Sequence, residues 1–246
     1  MRRCDSLDWN VDLKKYIFDV DGTLTPSRKP IEQDFRDYFQ DFASKHSVYL
    51  VTGSDRKKTL QQIGQKIYDL CERVYQCSGN DVWEKDQHIR SSEIEIPCNM
   101  YEDFTRFFSE SNFKIRTGTH LDKRPGLVNF SIIGRNCTQS ERQEYIEYDN
   151  AFQEREHIAA ALRRKYSDFD IQIAGETGID ITLKGKDKSQ IIKDFDTSDQ
   201  LHFFGDKMNP NGNDYSLAQR VLERNRFVYN VKSWEETWEH LKKLSV

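Results

Sequence analysis

Short apolar runs alternate with amphipathic stretches at the start of the chain. Residues 15–19, Lys-Tyr-Ile-Phe-Asp, form the first run, and a run of this length is typical of a buried strand. Phe35, Phe39 and Phe42 then recur at helical spacing, and a second apolar run follows at residues 48–52. A strand, a helix and a second strand in this order predict the first βαβ unit of a parallel sheet.

The same rhythm continues through one more helix and strand. Asp55 stands where it can cap a helix on which Leu60, Ile63 and Ile67 share one face, and Val74 begins a third apolar run. We therefore predict an α/β fold with a doubly wound parallel sheet, in which ligands bind beyond the carboxyl ends of the strands.

The rhythm breaks in the middle of the chain. Strand pairs such as 126–134 and 179–183 are mixed there with helices, and the first pattern returns only afterwards. This order predicts a discontinuous core domain of residues 1–85 and 188–246. The core would carry an inserted α+β domain, residues 86–187.

Composition and charge exclude several classes of protein. Among 246 residues, 12% are aromatic and only 5 are proline, so the chain can bury a core despite its charged surface. The net charge of -4 gives no basic face for nucleic acid, and no apolar run approaches a membrane span. Five cysteines without a Cys-x-x-Cys pair indicate neither disulfides nor zinc, and we expect a cytoplasmic protein.

Asp19 and Asp21 follow the first apolar run directly. Two carboxylates this close repel each other, so we predict that both bind Mg²⁺, which also offsets the repulsion between a carboxylate and a phosphate. Asp19 would be the nucleophile and Asp21 the general acid and base. Gly22 lets the backbone approach a phosphate. A solvated Asp-Gly turn is the alternative interpretation.

Asp206 ends the apolar run at residues 201–204 and arrives from the other arm of the predicted sheet. We predict that it is a further Mg²⁺ ligand, because this ion prefers oxygen donors. Asn213 and Asp214 come shortly after it. Taken alone, they indicate a helix cap more than a site residue.

Three polar residues are candidates for phosphate binding. Thr52 and Ser54 flank a glycine at a predicted turn between strand and helix, where hydroxyls and a free amide can cradle a phosphate. The alternative is an ordinary helix cap. Lys188 could balance phosphate charge, although a solvated basic loop is the leading interpretation of Lys184, Lys186 and Lys188.

The order of these elements resembles the haloacid dehalogenase superfamily and, within it, the eukaryotic-type phosphomannomutases. Residues 18–28 are similar to the opening motif of that family, and residues 203–214 are similar to its terminal metal motif. Residues 124–142 are similar to its cap segment, with three arginines at the same intervals. The resemblance thus implies that the inserted α+β domain, residues 86–187, is a cap domain on a catalytic core. The resemblance covers nearly the whole chain.

The resemblance implies a reaction and its requirements. It implies an Mg²⁺-dependent isomerase that interconverts mannose 6-phosphate and mannose 1-phosphate for GDP-mannose supply, through an aspartyl-phosphate at Asp19 and a hexose bisphosphate. A hexose 1,6-bisphosphate would be the activator, and the protein would be a homodimer through the cap.

The resemblance also implies the substrate-binding residues. Guanidinium groups can hold a second phosphate bidentately, which makes physical sense of the three cap arginines. The implied set is Arg28, the cap arginines Arg124, Arg135 and Arg142, and Gly178, Asp180 and Asn213. Gly178 departs from the family, which has a serine there, so one hydroxyl contact is missing.

Two other interpretations stay open. A sugar phosphatase of the same superfamily would use the same aspartates with water as acceptor, but a monophosphate needs no second phosphate site. A catalytically idle binding protein would have lost a catalytic carboxylate, whereas Asp19, Asp21 and Asp206 are present. The chain also departs from the family at residues 77–79, and the stretch after Leu217 does not follow its second, structural cation loop.

Overall fold

The computed structural model describes residues 14–27, 29–210, 212–224 and 226–244. The chain forms two compact units. The first unit comprises Met1–Gln76, Trp83–His88 and Lys188–Val246, and the second comprises Cys77–Val82 and Ile89–Asp187. None of the helices within the described ranges is long and apolar enough to span a membrane.

The regular elements of the described residues are as follows. The strands are β1 (Lys14–Phe18), β2 (Ser47–Val51), β3 (Arg73–Gln76), β4 (Asp81–Glu84), β5 (Gln87–Ser91), β6 (Leu121–Arg124), β7 (Leu127–Phe130), β8 (Phe169–Ala174), β9 (Gly178–Leu183), β10 (Gln200–Gly205) and β11 (Phe227–Asn230). The helices are α1 (Gln33–Lys45), α2 (Arg56–Leu70), α3 (Cys98–Glu110), α4 (Gln139–Phe152), α5 (Glu154–Lys165), α6 (Tyr215–Glu223) and α7 (Trp234–Leu244).

A seven-stranded sheet runs in the order β11-β10-β1-β2-β3-β4-β5. The pairs from β11 to β3 are parallel, which confirms the predicted α/β fold. Phe18 of β1 pairs with Phe204 of β10, and their buried rings stack with centroids 4.8 Å apart. Each buried phenylalanine contributes about 2 kcal/mol of hydrophobic stabilisation. This aromatic pairing fixes the register of the two strands whose carboxyl ends carry Asp19 and Asp206.

One predicted strand is shorter in the structure than in the sequence prediction. The predicted strand 126–134 covers only β7, because the chain turns where the amide of Gly134 donates to Ser131 Oγ at 3.1 Å. Gly134 has a φ of 90°, and a Cβ there would lie 1.8 Å from the carbonyl oxygen of Thr117. A 3-10 helix, Lys188–Asp194, begins where the chain returns to the first unit.

The second unit contains a four-stranded antiparallel sheet in the order β6-β7-β9-β8. One face is apolar: Val128, Ile171 and Ile181 are buried in one cluster with residues of α3 and α5. The other face is polar, because strand side chains alternate between the two faces. We call it the polar sheet face, and its central row across the four strands is Asp122, Asn129, Asp180 and Gln172.

Residues 77–82, which the sequence pattern places in the core, lie in the second unit. Asn80 explains this position, because its side-chain Nδ2 donates to the carbonyl oxygen of Lys186 at 2.9 Å. Its own carbonyl oxygen accepts from the amide of Ser92 at 2.7 Å. The first bond joins the two ends of the second unit, and the second bond joins its two segments.

Candidate active site

Three carboxylates meet where β1 and β10 end. The amide of Asp19 donates to the carbonyl oxygen of Phe204 at 2.9 Å, which extends the pairing of the two strands by one residue. Asp19, Asp206 and Asp214 each offer an oxygen within 4.8 Å of the others. We call these three residues the carboxylate cluster. Asp19 and Asp214 are buried, with 3% and 0% of their surface exposed.

Lys188 is buried among these carboxylates, with none of its surface exposed. Its Nζ donates to Asp19 Oδ1 at 2.6 Å and to Asp214 Oδ1 at 2.7 Å. A solvated basic loop is therefore the wrong interpretation of this residue, although Lys184 is exposed as that interpretation expects. A lysine is buried as a cation only where anions offset the loss of hydration. The two carboxylates provide that compensation.

Burial and mutual repulsion control the protonation of this cluster. Burial raises the pKa of Asp19 to about 7; Lys188 opposes the shift, and Asp214 and Asp206 add to it. Burial also raises the pKa of Asp206. Burial lowers the pKa of Lys188, but Asp19 and Asp214 outweigh it, so the net pKa of the lysine is raised. Lys188 therefore keeps its proton, but its single positive charge does not balance the three carboxylates.

The cluster fits a divalent cation. Asp206 Oδ1 is buried and has no hydrogen-bond partner among the described residues. Hard cations such as Mg²⁺ bind oxygen donors of this kind, and a bound cation would satisfy the unpaired atom. Gly22, at φ 86°, gives Asp206 the room it occupies, because a Cβ at Gly22 would lie 2.4 Å from Asp206 Oδ2. Asp19 and Asp206 therefore remain good candidates for metal ligands.

The side chain of Asp21 lies outside the carboxylate cluster, and metal binding by Asp21 stays a prediction. Its Oδ1 accepts from Gln62 Nε2 at 2.8 Å, and its Oδ2 accepts from Lys58 Nζ at 3.0 Å and from Ser54 Oγ at 3.3 Å. These three donors hold the Asp21 carboxylate apart from that of Asp19. The sequence analysis missed Lys58 and Gln62, although their spacing of four residues on α2 puts them on one helix face.

Thr52 and Ser54 form a tight turn between β2 and α2. Both are buried, and the amide of Ser54 donates to Thr52 Oγ1 at 3.1 Å. Asp55 caps α2 as predicted, since its Oδ1 accepts from the amide of Lys58 at 2.8 Å. Because Ser54 also reaches Asp21, this turn lies beside one catalytic candidate. Phosphate binding by the two hydroxyls stays a prediction.

Asp214 does not cap the helix that follows it, which corrects the leading interpretation of this residue. Its side chain makes no capping bond to α6. Instead its Oδ1 accepts from Lys188 Nζ, and its Oδ2 accepts from the amide of Lys207 at 3.0 Å. Gly205 allows this approach, since a Cβ there would lie 2.8 Å from the Asp214 carboxyl group. Asn213, beside it, is exposed.

Two of the cap arginines share one carboxylate in the second unit. Asp122 Oδ2 accepts from Nε and Nη2 of Arg124 at 3.1 and 2.7 Å. The same oxygen accepts from Nε and Nη2 of Arg135 at 3.0 and 2.5 Å. Arg142 pairs instead with Glu176, at 3.2 Å. Arg28 lies outside the described residues.

Asp180 lies next to Asn129 on the polar sheet face. Asn129 Nδ2 donates to Asp180 Oδ1 at 2.6 Å. Burial raises the pKa of Asp180, against the opposing effects of Asn129 and the Arg124 charge. At Gly178 a Cβ would lie 2.4 Å from Asn129 Nδ2, so the glycine accommodates this amide. The sequence analysis missed both Asp122 and Asn129, whose alternation with apolar neighbours in β6 and β7 was the available signal.

The chain is similar to the proteins of one family along nearly its whole length. A family model described as eukaryotic phosphomannomutase matches residues 35–246, which include Lys188, Asp206 and the cap arginines. A phosphomannomutase from Dendrobium officinale is 32% identical over 235 residues, covering 92% of this chain and 92% of that protein. A phosphomannomutase from Saccharomyces cerevisiae is 31% identical over 231 residues, covering 90% of each.

A solved structure supports the fold. A haloacid dehalogenase-like hydrolase from Bacteroides thetaiotaomicron superposes with a TM-score of 0.60 at 12% identity, covering 94% of this chain and 99% of that one. Such low identity shows the fold alone, and the superposition confirms the predicted α/β fold. The family match and the relatives carry the narrower conclusion: this chain belongs to the eukaryotic phosphomannomutase family.

Proposed function

We propose that this protein is a phosphomannomutase that interconverts mannose 6-phosphate and mannose 1-phosphate. The observation that carries the proposal is the buried Asp19, held by Lys188 in the carboxylate cluster at the ends of β1 and β10. The relatives named phosphomannomutase support it, because their alignments cover 92% and 90% of this chain.

Asp19 is the proposed nucleophile. One carboxylate oxygen attacks the phosphorus of a hexose bisphosphate, a P–O bond to the sugar breaks, and an aspartyl-phosphate forms. Lys188 keeps the Asp19 charge available inside a buried site, because its Nζ lies 2.6 Å from Asp19 Oδ1. A bound Mg²⁺, held by Asp19 and Asp206, would supply further positive charge against the repulsion between two anions.

Asp21 is the proposed general acid and base. It would give a proton to the departing sugar oxygen, and it would take a proton from the sugar hydroxyl that later receives the phosphoryl group. Lys58 and Gln62 hold this carboxylate in one orientation. That orientation suits proton transfer better than metal binding.

The cap arginines are the proposed site for the second phosphate. A hexose bisphosphate carries two phosphates, and a mutase must exchange their places without losing the intermediate. Guanidinium groups bind a phosphate dianion through parallel hydrogen bonds, which makes Arg124 and Arg135 suitable. We propose the same role for Arg28 and Arg142, and sugar contacts for Gly178, Asp180 and Asn213.

Several finer features belong to the same proposal. We propose Mg²⁺ as the cation, a hexose 1,6-bisphosphate as the activator that first phosphorylates Asp19, and phosphate contacts from Thr52 and Ser54. We also propose a homodimer formed through the residues of the predicted cap, and a cytoplasmic location. Sedimentation at micromolar protein concentration tests the dimer, and a monomeric mass there would contradict it.

A coupled assay tests the activity. Purified protein with Mg²⁺, mannose 1-phosphate and a trace of hexose bisphosphate should yield mannose 6-phosphate. Inorganic phosphate without any isomer would overturn the mutase and would favour a sugar phosphatase that uses the same nucleophile. Omitting the bisphosphate should slow the reaction, which tests the activator separately.

A further inference from the structure

The second unit joins two basic residues through a single acidic one. Arg124 and Arg135 direct the same edge of their guanidinium groups, Nε and Nη2, at Asp122 Oδ2. One oxygen therefore accepts four hydrogen bonds. The side chains of Arg124, Arg135 and Asp122 are 26%, 39% and 30% exposed, so a ligand from solvent can reach them.

Electrostatics explains why the acidic residue matters. Two guanidinium groups repel each other when they converge, by about 1 to 4 kcal/mol at a separation near 4 Å. A carboxylate between them offsets this repulsion and leaves the three groups with one net positive charge. Because Asp122 uses the Nε and Nη2 edge, the edge of each guanidinium that carries Nη1 faces away from this contact. A phosphate needs such an edge for a bidentate contact.

The backbone fixes all three residues in this arrangement. Asp122 and Arg124 are two residues apart on β6, so they share the polar sheet face. Arg135 comes from the turn after β7, and its amide donates to the carbonyl oxygen of Thr119 at 3.0 Å. Asn129 pairs with Asp122 across the strands. The acidic residue is therefore held between its two partners by the sheet itself.

We propose that Asp122 is a positioning residue that holds Arg124 and Arg135 as a preformed fork for the second phosphate of the substrate. The inference rests on the proposed function, because it concerns the phosphate that is not at Asp19. Asp122 does not touch the reacting atoms in this proposal. Its effect is to reduce the ordering that phosphate binding would otherwise require of two long side chains.

A competing role for Asp122 makes the opposite prediction. If the carboxylate merely occupies the place of a phosphate, every neutral replacement should tighten binding. Asp122→Asn keeps an oxygen acceptor and loses the charge, whereas Asp122→Leu has a similar size and loses both. The difference between these two variants isolates the hydrogen-bonded clamp from the charge.

The experiment measures binding of a hexose 1,6-bisphosphate by calorimetry, in full-length protein carrying Asp19→Asn to prevent turnover. We expect the Leu variant to bind at least about tenfold more weakly than the Asn variant. The reason is that leucine has no oxygen to accept the charge-assisted hydrogen bonds from the two guanidinium groups. Equal affinities, or tighter binding by the Leu variant, would overturn the proposal. Asp122→Ala replaces the Leu variant if that one does not fold.

A matched pair and a second readout complete the test. Asp170 lies on β8 of the same sheet and bonds to Gln172, so Asp170→Asn and Asp170→Leu should bind the bisphosphate equally well.

In protein with native Asp19, Asp122→Leu should raise KM for mannose 1-phosphate more than it lowers kcat, and Asp122→Glu should restore KM. A fall in kcat alone would contradict positioning. If protein with native Asp122 binds monophosphate and bisphosphate equally, the second phosphate site fails and the inference fails with it.

Discussion

The carboxylate cluster of the first unit and the paired arginines of the second unit both hold like charges close together, with opposite signs of charge. In the first unit, one buried lysine bonds two of three clustered carboxylates, and Oδ1 of the third, Asp206, has no hydrogen-bond partner among the described residues. In the second unit, two partly exposed arginines surround one carboxylate. The first has excess negative charge and suits a cation, and the second has excess positive charge and suits an anion. Because the first cluster is buried and the second is partly exposed, loss of an oppositely charged side chain should destabilise the first cluster more.

The largest expected difference between the two clusters is in the kinetics of variants that each lose one charged side chain. Asp19→Asn removes the proposed nucleophile, so kcat should fall by about a thousandfold or more. Arg135→Met removes one of the proposed contacts to the second phosphate, so KM should rise by about tenfold to a hundredfold with a smaller change in kcat. Steady-state kinetics of the coupled assay checks both. Full activity of Asp19→Asn would contradict every aspartyl-phosphate mechanism.

The next largest effect concerns stability. Lys188→Met leaves buried Asp19 and Asp214 without their cation, and breaking a buried pair costs about 3 to 5 kcal/mol of unfolding free energy. Arg124→Met breaks a partly exposed pair, which costs about 1 kcal/mol or less. Urea unfolding in the absence of metal measures the two values. Similar losses in both variants would show that burial does not distinguish the two clusters.

A third substitution sharpens the role of Asp21. Lys58→Met removes one of the donors that orient this carboxylate, so kcat should fall by about tenfold. Lys57→Met is the matched control, because Lys57 is an exposed neighbour on the same helix, and its kcat should be unchanged. Equal effects of the two substitutions would refute the specific role of Lys58.

The smallest expected effect is a pH dependence of metal binding. In the metal-free protein, burial raises the pKa of Asp19 to about 7, so the contribution of this group to stability is lost as pH rises from its ordinary value of 3.8 through about 7. A cation binds the deprotonated carboxylate and offsets that loss. Mg²⁺ should therefore raise the melting temperature by a few degrees more at about pH 8 than at about pH 6. Scanning calorimetry measures this difference, and an equal shift at both pH values would exclude the linkage.

The sequence predicts the fold well and the site only in part, for physical reasons. The helical spacing of Phe35, Phe39 and Phe42 predicts α1, because that signal is local. The sequence favours a cap for Asp214 and a solvated position for Lys188, because their partners lie 26 and 169 residues away. Only the packed sheet brings such residues together.

Asp21 and Asp122 show the same limit at closer range. The spacing of Asp19 and Asp21 suggested a shared cation, yet α2 supplies donors that hold Asp21 separately. For Asp122, the sequence shows a charged residue two positions before an arginine, which is ordinary on a surface strand. Its meaning depends on the turn at Gly134, which brings Arg135 back to β6.

The bond between Lys188 and Asp19 has a consequence for how the protein is made. Lys188 is the first residue of the first unit after the chain returns from the second. During synthesis, Asp19 emerges long before its lysine, and chain segments this far apart in sequence associate late in folding. The proposed nucleophile therefore acquires its charge partner only after the inserted segment has been synthesised. A nascent or truncated chain that ends before residue 188 would be inactive. Phosphoryl transfer should therefore begin only after the inserted segment and Lys188 have been synthesised.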